Sequence, residues 1–128
     1  MNGQGRQLIR IVSSGITMPD TQKLPKSFLG LIQESDLPVL VDFWAEWCGA
    51  CKILSPVIHQ LATTFKGRLI TVKINVDQKP MIATQYQITG IPTVMLFHKG
   101  RIWMRLSGAQ PYEILKREIE KVLPSSFS

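Results

Sequence analysis

Cys48 and Cys51 are the only cysteines in the chain, and Gly49 and Ala50 separate them. A C-x-x-C pair can exchange disulfides with another molecule, contribute to a metal site, or pack as inert thiols. The residues around it favour exchange. Val39-Leu40-Val41-Asp42-Phe43-Trp44 is almost continuously apolar and reads as a strand buried on both faces. After it, Cys51, Leu54, Ile58, Leu61, Ala62 and Phe65 recur at steps of three and four, the stripe of an amphipathic helix. Cys48 therefore falls where a strand passes into a helix. The unpaired N–H groups and the dipole of that helix start favour a thiolate, the attacking species in disulfide exchange. Cys51, one turn on, can then attack the mixed disulfide and release the reduced substrate.

Zinc is the rival for such a pair, but a structural site needs four ligands and only His59 and His98 remain to complete it. Neither stands at finger-like spacing, so no metal is expected, and both histidines read as solvated. Asp42 is the anomaly of its strand. A carboxyl inside a buried strand should titrate well above its usual range, which suits it to proton transfer near neutral pH. A core acid paired with a lysine, Lys73 being the candidate, is the blander reading and is compatible with the first.

These residues need elements to hold them. A first helix is expected over Pro25–Glu34, with proline at its first position. The helix after the cysteines should end at Gly67 and kink at Pro56. Leu69–Val76 alternates like a strand, and Lys79–Tyr86 is a short helix candidate. Thr93–Phe97 and Arg101–Leu106, joined by His98-Lys99-Gly100, form a hairpin pattern. Pro111 opens a last helix with Leu115, Ile119 and Val122 on one face and a Glu113–Arg117 pair outside. The order implies an α/β fold with a mixed sheet between helices, its first two strands parallel across a helical crossover.

At 128 residues the chain has room for one domain and a short extension, and needs no disulfide staple to fold. No signal-peptide core or bilayer-spanning run is visible, so a cytoplasmic location is expected, with an organellar one as the alternative. From Gly67 onward nine Lys/Arg face four Asp/Glu. These charges are scattered and surround no nucleic-acid motif, so they read as a solvated basic surface.

The segment Asp42-Phe43-Trp44-Ala45-Glu46-Trp47-Cys48-Gly49-Ala50-Cys51-Lys52 resembles the active-site segment of the thioredoxin family. Gly90-Ile91-Pro92-Thr93 resembles that family's cis-proline loop, and Gly100 and Ser107-Gly108-Ala109 match its later glycines. The resemblance covers about Phe28 to Leu123. It implies a thioredoxin-like domain over 25–124, which leaves an N-terminal extension 1–24 and a tail 125–128; within the extension the short run Leu8–Val12 reads by its own pattern as a candidate strand. The resemblance also implies a protein-disulfide reductase in which Cys48 attacks, Cys51 resolves and Asp42 moves a proton to or from Cys51. Pro92 matches the cis-proline and Ile91 the residue whose backbone pairs with substrate. Trp47, Gly49, Ala50 and Gly108 complete the implied docking surface, with Trp47 exposed and Trp44 in the core. No bound cofactor is implied, only a Cys48–Cys51 disulfide recharged by an NADPH- or ferredoxin-dependent reductase. The implied partners are disulfide-containing proteins, not nucleic acid or membrane, and the chain is expected to act as a monomer.

Two departures stand out. Ala50 replaces the proline usual between the cysteines, and its N–H is expected to help stabilise the Cys48 thiolate. The family's first strand should lie close before the Pro25 helix, yet Asp20–Lys23 is polar. Two alternatives share the fold: a dedicated disulfide oxidase or isomerase, and a binding or scaffold module without turnover. The joint presence of Asp42, Cys48, Cys51 and Pro92 favours chemistry.

Overall fold

The computed structural model describes residues 9–11 and 27–123. Its elements are β1 (Ile9–Ile11), α1 (Phe28–Glu34), β2 (Val39–Trp44), α2 (Gly49–Thr64), β3 (Ile70–Asn75), α3 (Pro80–Gln85), β4 (Thr93–His98), β5 (Arg101–Ser107) and α4 (Tyr112–Val122). The strands form one sheet in the order β1-β3-β2-β4-β5. β2 and β3 run parallel, joined through α2, and the other pairs are antiparallel. This is the expected mixed sheet.

β2 is apolar at every position but Asp42 because both of its faces are covered. Val39, Val41 and Phe43 pack with Phe28, Leu31 and Ile32 of α1, while Leu40 packs with Leu54, Ile58 and Leu61 of α2 and with Leu115 and Ile119 of α4. Asp42 and Trp44 follow Leu40 on the α2 face, since strand side chains alternate. Truncating a fully buried leucine such as Leu54 or Leu61 should cost about 2–5 kcal/mol.

Several local expectations need correction. α1 starts at Phe28 because the Ser27 hydroxyl caps it, accepting from the Gly30 N–H at 3.0 Å. The expected proline start, Pro25, lies outside the described residues. α2 holds Pro56 within it and ends at Thr64, short of the expected Gly67, where the chain reverses with φ +81°. Thr71 and Asn75 of β3 are buried alongside Ile70, Val72 and Ile74, because β3 is covered on both faces: the three apolar residues pack in the cluster with α1, and the alternate face is the one from which Lys73 reaches Ser55 of α2. His98 ends β4 instead of sitting in the turn and is half-buried, with its Nε2 3.2 Å from the Asp36 carbonyl. The hairpin turn is Lys99-Gly100 alone, with φ of +54° and +82°, the backbone of a tight two-residue loop.

Pro111 precedes α4 as its cap. The Glu113–Arg117 pair does not form; Lys116–Glu120 at 3.3 Å and Lys121–Glu118 at 2.9 Å form instead. Such exposed pairs are worth so little that the choice among them is nearly free.

The strand of the N-terminal segment, β1, pairs with β3 in the register Ile9 to Ile74. It lies well upstream of α1, which accounts for the polar Asp20–Lys23 stretch not being a strand pattern. Those four residues themselves lie outside the described residues. Among the described residues no helix is long and apolar enough to cross a membrane.

Candidate active site

The dithiol stands at the C-terminal end of β2, where the chain leaves the sheet through Ala45-Glu46-Trp47 and enters α2. Cys48 is the N-cap of α2, with extended backbone, and its Sγ accepts the Cys51 N–H at 3.1 Å. The Cys48 N–H donates to the Ala45 carbonyl at 3.2 Å, closing the turn. Cys48 and Cys51 are joined as a disulfide with Cα atoms 5.3 Å apart. Both are buried, and with Ala45 they form a small cluster on which Trp44, Val76 and Ile91 pack. Gly49 and Ala50 are exposed.

The N–H that supports the Cys48 sulfur is therefore that of Cys51. The Ala50 N–H, expected to support the thiolate of the reduced pair, makes no bond to that sulfur in the disulfide. An N-cap side chain can accept from the second or the third N–H of the helix, and in this disulfide the third, that of Cys51, is the one used.

Behind the dithiol, Asp42 is fully buried and neither of its carboxylate oxygens has a hydrogen-bond partner. Burial pushes its pKa from 3.8 up to about 6, with the positive charge of Lys73 pulling partly the other way. Lys73 is its register partner across β2 and β3 but forms no bridge with it. The Lys73 ammonium donates instead to the Ser55 hydroxyl at 3.3 Å and lies 4.8 Å from the centre of the Trp44 ring. The carboxyl is thus left poised by desolvation and moderated by a charge nearby.

In front of the dithiol, Trp47 is 70% exposed, and its indole N–H donates to Asp77 Oδ2 at 2.8 Å. Asn75 shapes the turn that presents Asp77, its Oδ1 accepting the N–H groups of Asp77 and Gln78. Trp47, Val76, Ile88, Thr89, Gly90 and Ile91 line a shallow groove. The Ile91–Pro92 peptide bond is cis, Pro92 is buried, and the Pro92 carbonyl accepts the Gly108 N–H at 2.8 Å. Gly108, with φ +87°, braces the loop from behind and does not line the groove. The structure thus brings Trp47, Ile91 and the dithiol together, and places Asp42 and Lys73 beneath them. Sequence reasoning missed Asp77, Ser55, Val76 and Ile88; only the placement of Val76 and Ile88 beside assigned elements could have hinted at them.

The family model described as Thioredoxin matches residues 21–121. This chain belongs to the thioredoxin family. It is similar to "Thioredoxin 1" of Chlorobaculum tepidum, with 52% identity over 93 residues covering 73% of this chain and 92% of that protein. It is also similar to "Thioredoxin 1" of a Nostoc species, 41% identical over 80% of this chain and 95% of the relative. A third relative is "Thioredoxin M-type, chloroplastic" of Spinacia oleracea, 46% identical over 76% of this chain and 54% of its own length. Family membership and the adjacent cysteine pair make this chain a thiol-disulfide oxidoreductase that needs no bound cofactor. Among the described residues no group of three or more His, Cys, Asp and Glu could hold a metal ion.

Proposed function

We propose that this thioredoxin-family chain reduces protein disulfides, with Cys48 attacking and Cys51 resolving. The observation that carries the assignment is the position of Cys48 at the N-cap of α2, its sulfur accepting the Cys51 N–H at 3.1 Å. Negative charge on that sulfur is stabilised by the N–H and by the helix dipole. The Cys48 thiolate forms a bond to one sulfur of the substrate disulfide, whose S–S bond breaks and whose other sulfur leaves as a thiolate. Cys51, deprotonated, then bonds to Cys48 Sγ and expels the second substrate sulfur. The substrate gains two electrons and two protons, and the Cys48–Cys51 pair is oxidised to the disulfide.

Asp42 is proposed to take the Cys51 proton in the resolving step and return it on re-reduction. A carboxyl with a pKa of about 6 exchanges protons readily near neutrality, and Asp42 lies on the α2 face of the sheet, two residues before Trp44, which packs on the dithiol. Lys73 limits how far that carboxyl is pushed up. Trp47, Gly49, Ala50 and the Ile91–Pro92 loop are proposed to receive the substrate chain, Trp47 and Ile91 through the groove they line, with Gly108 holding the loop in place.

An external reductase, driven by NADPH or ferredoxin, would return the disulfide to the dithiol. The chain is proposed to act as a monomer, and the chemistry suits a reducing compartment such as the cytoplasm or an organelle interior. Residues 25–124 are proposed as the catalytic unit, with 1–24 as an extension that lends β1 to the sheet edge. Reduction of insulin disulfides by the dithiol form tests the proposal: turnover is expected, and none with Cys48→Ser.

A further inference from the structure

The loop that carries Ile88–Ile91 begins where α3 ends, and α3 is a weak anchor. It has six residues, none of them fully buried, and no side-chain cap at its start. Its last turn passes into Gln87, which holds a left-handed φ of +54° without being glycine. The Gln87 and Ile88 N–H groups turn back to the Thr84 and Ala83 carbonyls, at 3.0 and 2.8 Å. The outward carbonyls of Tyr86 and Gln87 need donors from elsewhere.

Arg105 supplies them. It lies on β5, and its guanidinium reaches back across β4. Nη1 donates to the Tyr86 carbonyl at 2.6 Å and Nη2 to the Gln87 carbonyl at 2.8 Å. The same Nη1 lies 3.9 Å from Met95 Sδ, on the residue paired with Arg105 across the two strands. A guanidinium presents its donors in a fixed fork, so gripping two successive carbonyls fixes their orientation as well as their position. The Tyr86 ring is held from the other side, packed edge-on against Phe28 and Phe97 with centroids 6.0 and 5.2 Å away. Downstream, the Thr93 hydroxyl donates to the Gly90 carbonyl at 2.6 Å and the Gly108 N–H to that of Pro92. The loop is therefore tied at both ends while Thr89 and Gly90 between them stay exposed.

We infer that Arg105 is a positioning residue for protein-substrate docking: its two-carbonyl grip on Tyr86 and Gln87 sets the pose of the Ile88–Ile91 loop beside the dithiol. This rests on the proposal that the loop receives substrate. Arg105 reaches neither cysteine, so it acts on capture of a chain and leaves the thiol chemistry alone. A small disulfide, which has no chain to lay along the loop, is insensitive to it.

The test compares two second-order rate constants for the reduced protein, one with insulin and one with hydroxyethyl disulfide. Arg105→Gln removes the fork; Arg105→Lys keeps the charge but offers a point donor in place of the planar pair. In Arg105→Gln the ratio of the insulin to the small-disulfide constant should fall by about three- to ten-fold, the scale of losing exposed charge-assisted hydrogen bonds. Arg105→Lys should lie between, and the reduction potential should not move. An unchanged ratio in both variants, or a parallel fall of both constants, would overturn the inference and mark Arg105 as an ordinary structural contact. If the unsubstituted chain reduced only the small disulfide, the docking proposal itself would fall and the inference with it.

Discussion

On the α2 face of the sheet, beneath the dithiol, Asp42 has no exposed surface, and no protein group hydrogen-bonds its carboxylate. Above it, Trp47 and the loop of Ile88–Ile91 stand open and are tied down by bonds to Asp77, Arg105 and Gly108. Under the proposed mechanism, the contrast separates two tasks. A proton acceptor tuned by desolvation must be dry, and the cost of drying it is a pKa displaced toward neutrality. A docking surface must be exposed, so its order comes from hydrogen bonds at its margins and not from burial. Changes beneath should alter pH dependence and stability, and changes above should alter capture.

The largest effect falls where the two regions meet. Cys48→Ser should reduce insulin turnover to the uncatalysed background, because the proposed mechanism gives the first attack to Cys48 and leaves Cys51, the other thiol, only the second; a coupled turbidity assay reads it directly.

Asp42→Asn comes next, and it separates the regions most clearly. Stopped-flow traces should show resolution of the mixed disulfide slowed about ten- to a hundred-fold near neutral pH, with its formation changed far less. Equal slowing of both steps would break the comparison. The same variant bears on stability. The folded carboxyl binds its proton up to about pH 6 and the unfolded one only to 3.8, so the native protein loses stability as pH rises through that window. The full loss is about 3 kcal/mol. Denaturant melts should therefore find Asp42→Asn more stable than the native chain above pH 6, by about 1–3 kcal/mol once the unpartnered amide is discounted, with the gain vanishing near pH 4.

Trp47→Ala tests the upper region. It removes an exposed ring and frees Asp77, and should weaken capture of insulin by about three- to ten-fold, as a modest docking contact does. The pH profile of the resolving step should stay where it was. Ala50→Pro should have the smallest effect. The Cys51 N–H continues to serve the Cys48 sulfur, so the reduction potential, measured against glutathione, should move by no more than about 10 mV, the low end of what one net hydrogen bond contributes.

The parts of this site that were legible in the sequence are those in which one residue type carries the chemistry. Cys48 and Cys51 announce a strand-to-helix dithiol by spacing, and Asp42 announces itself as the one charge in an apolar strand. Val39–Trp44 and Gly49–Thr64 emerged near their expected bounds because their patterns match burial on two faces and on one. What stayed hidden depends on where distant segments meet. Trp47 finds Asp77 thirty residues away, and Lys73 turns to Ser55 instead of Asp42 because α2 happens to lay a hydroxyl over it. Arg105 looked like one more solvated cation of a basic half, since nothing local says that β5 will bring it to the end of α3. The Ala50 expectation concerns the thiolate of the reduced pair; in the disulfide the Cys48 sulfur takes the Cys51 N–H, a choice between the second and third N–H of the helix that spacing alone does not reveal.

The order of the two thiols is the central claim, and trapping tests it most directly. Reduced Cys51→Ser, mixed with a disulfide-containing protein, should accumulate a covalent complex whose peptide mass places the linkage on Cys48, because the first attack proceeds and the second is lost. A complex trapped instead through Cys51 in the Cys48→Ser variant, with none through Cys48, would contradict the account.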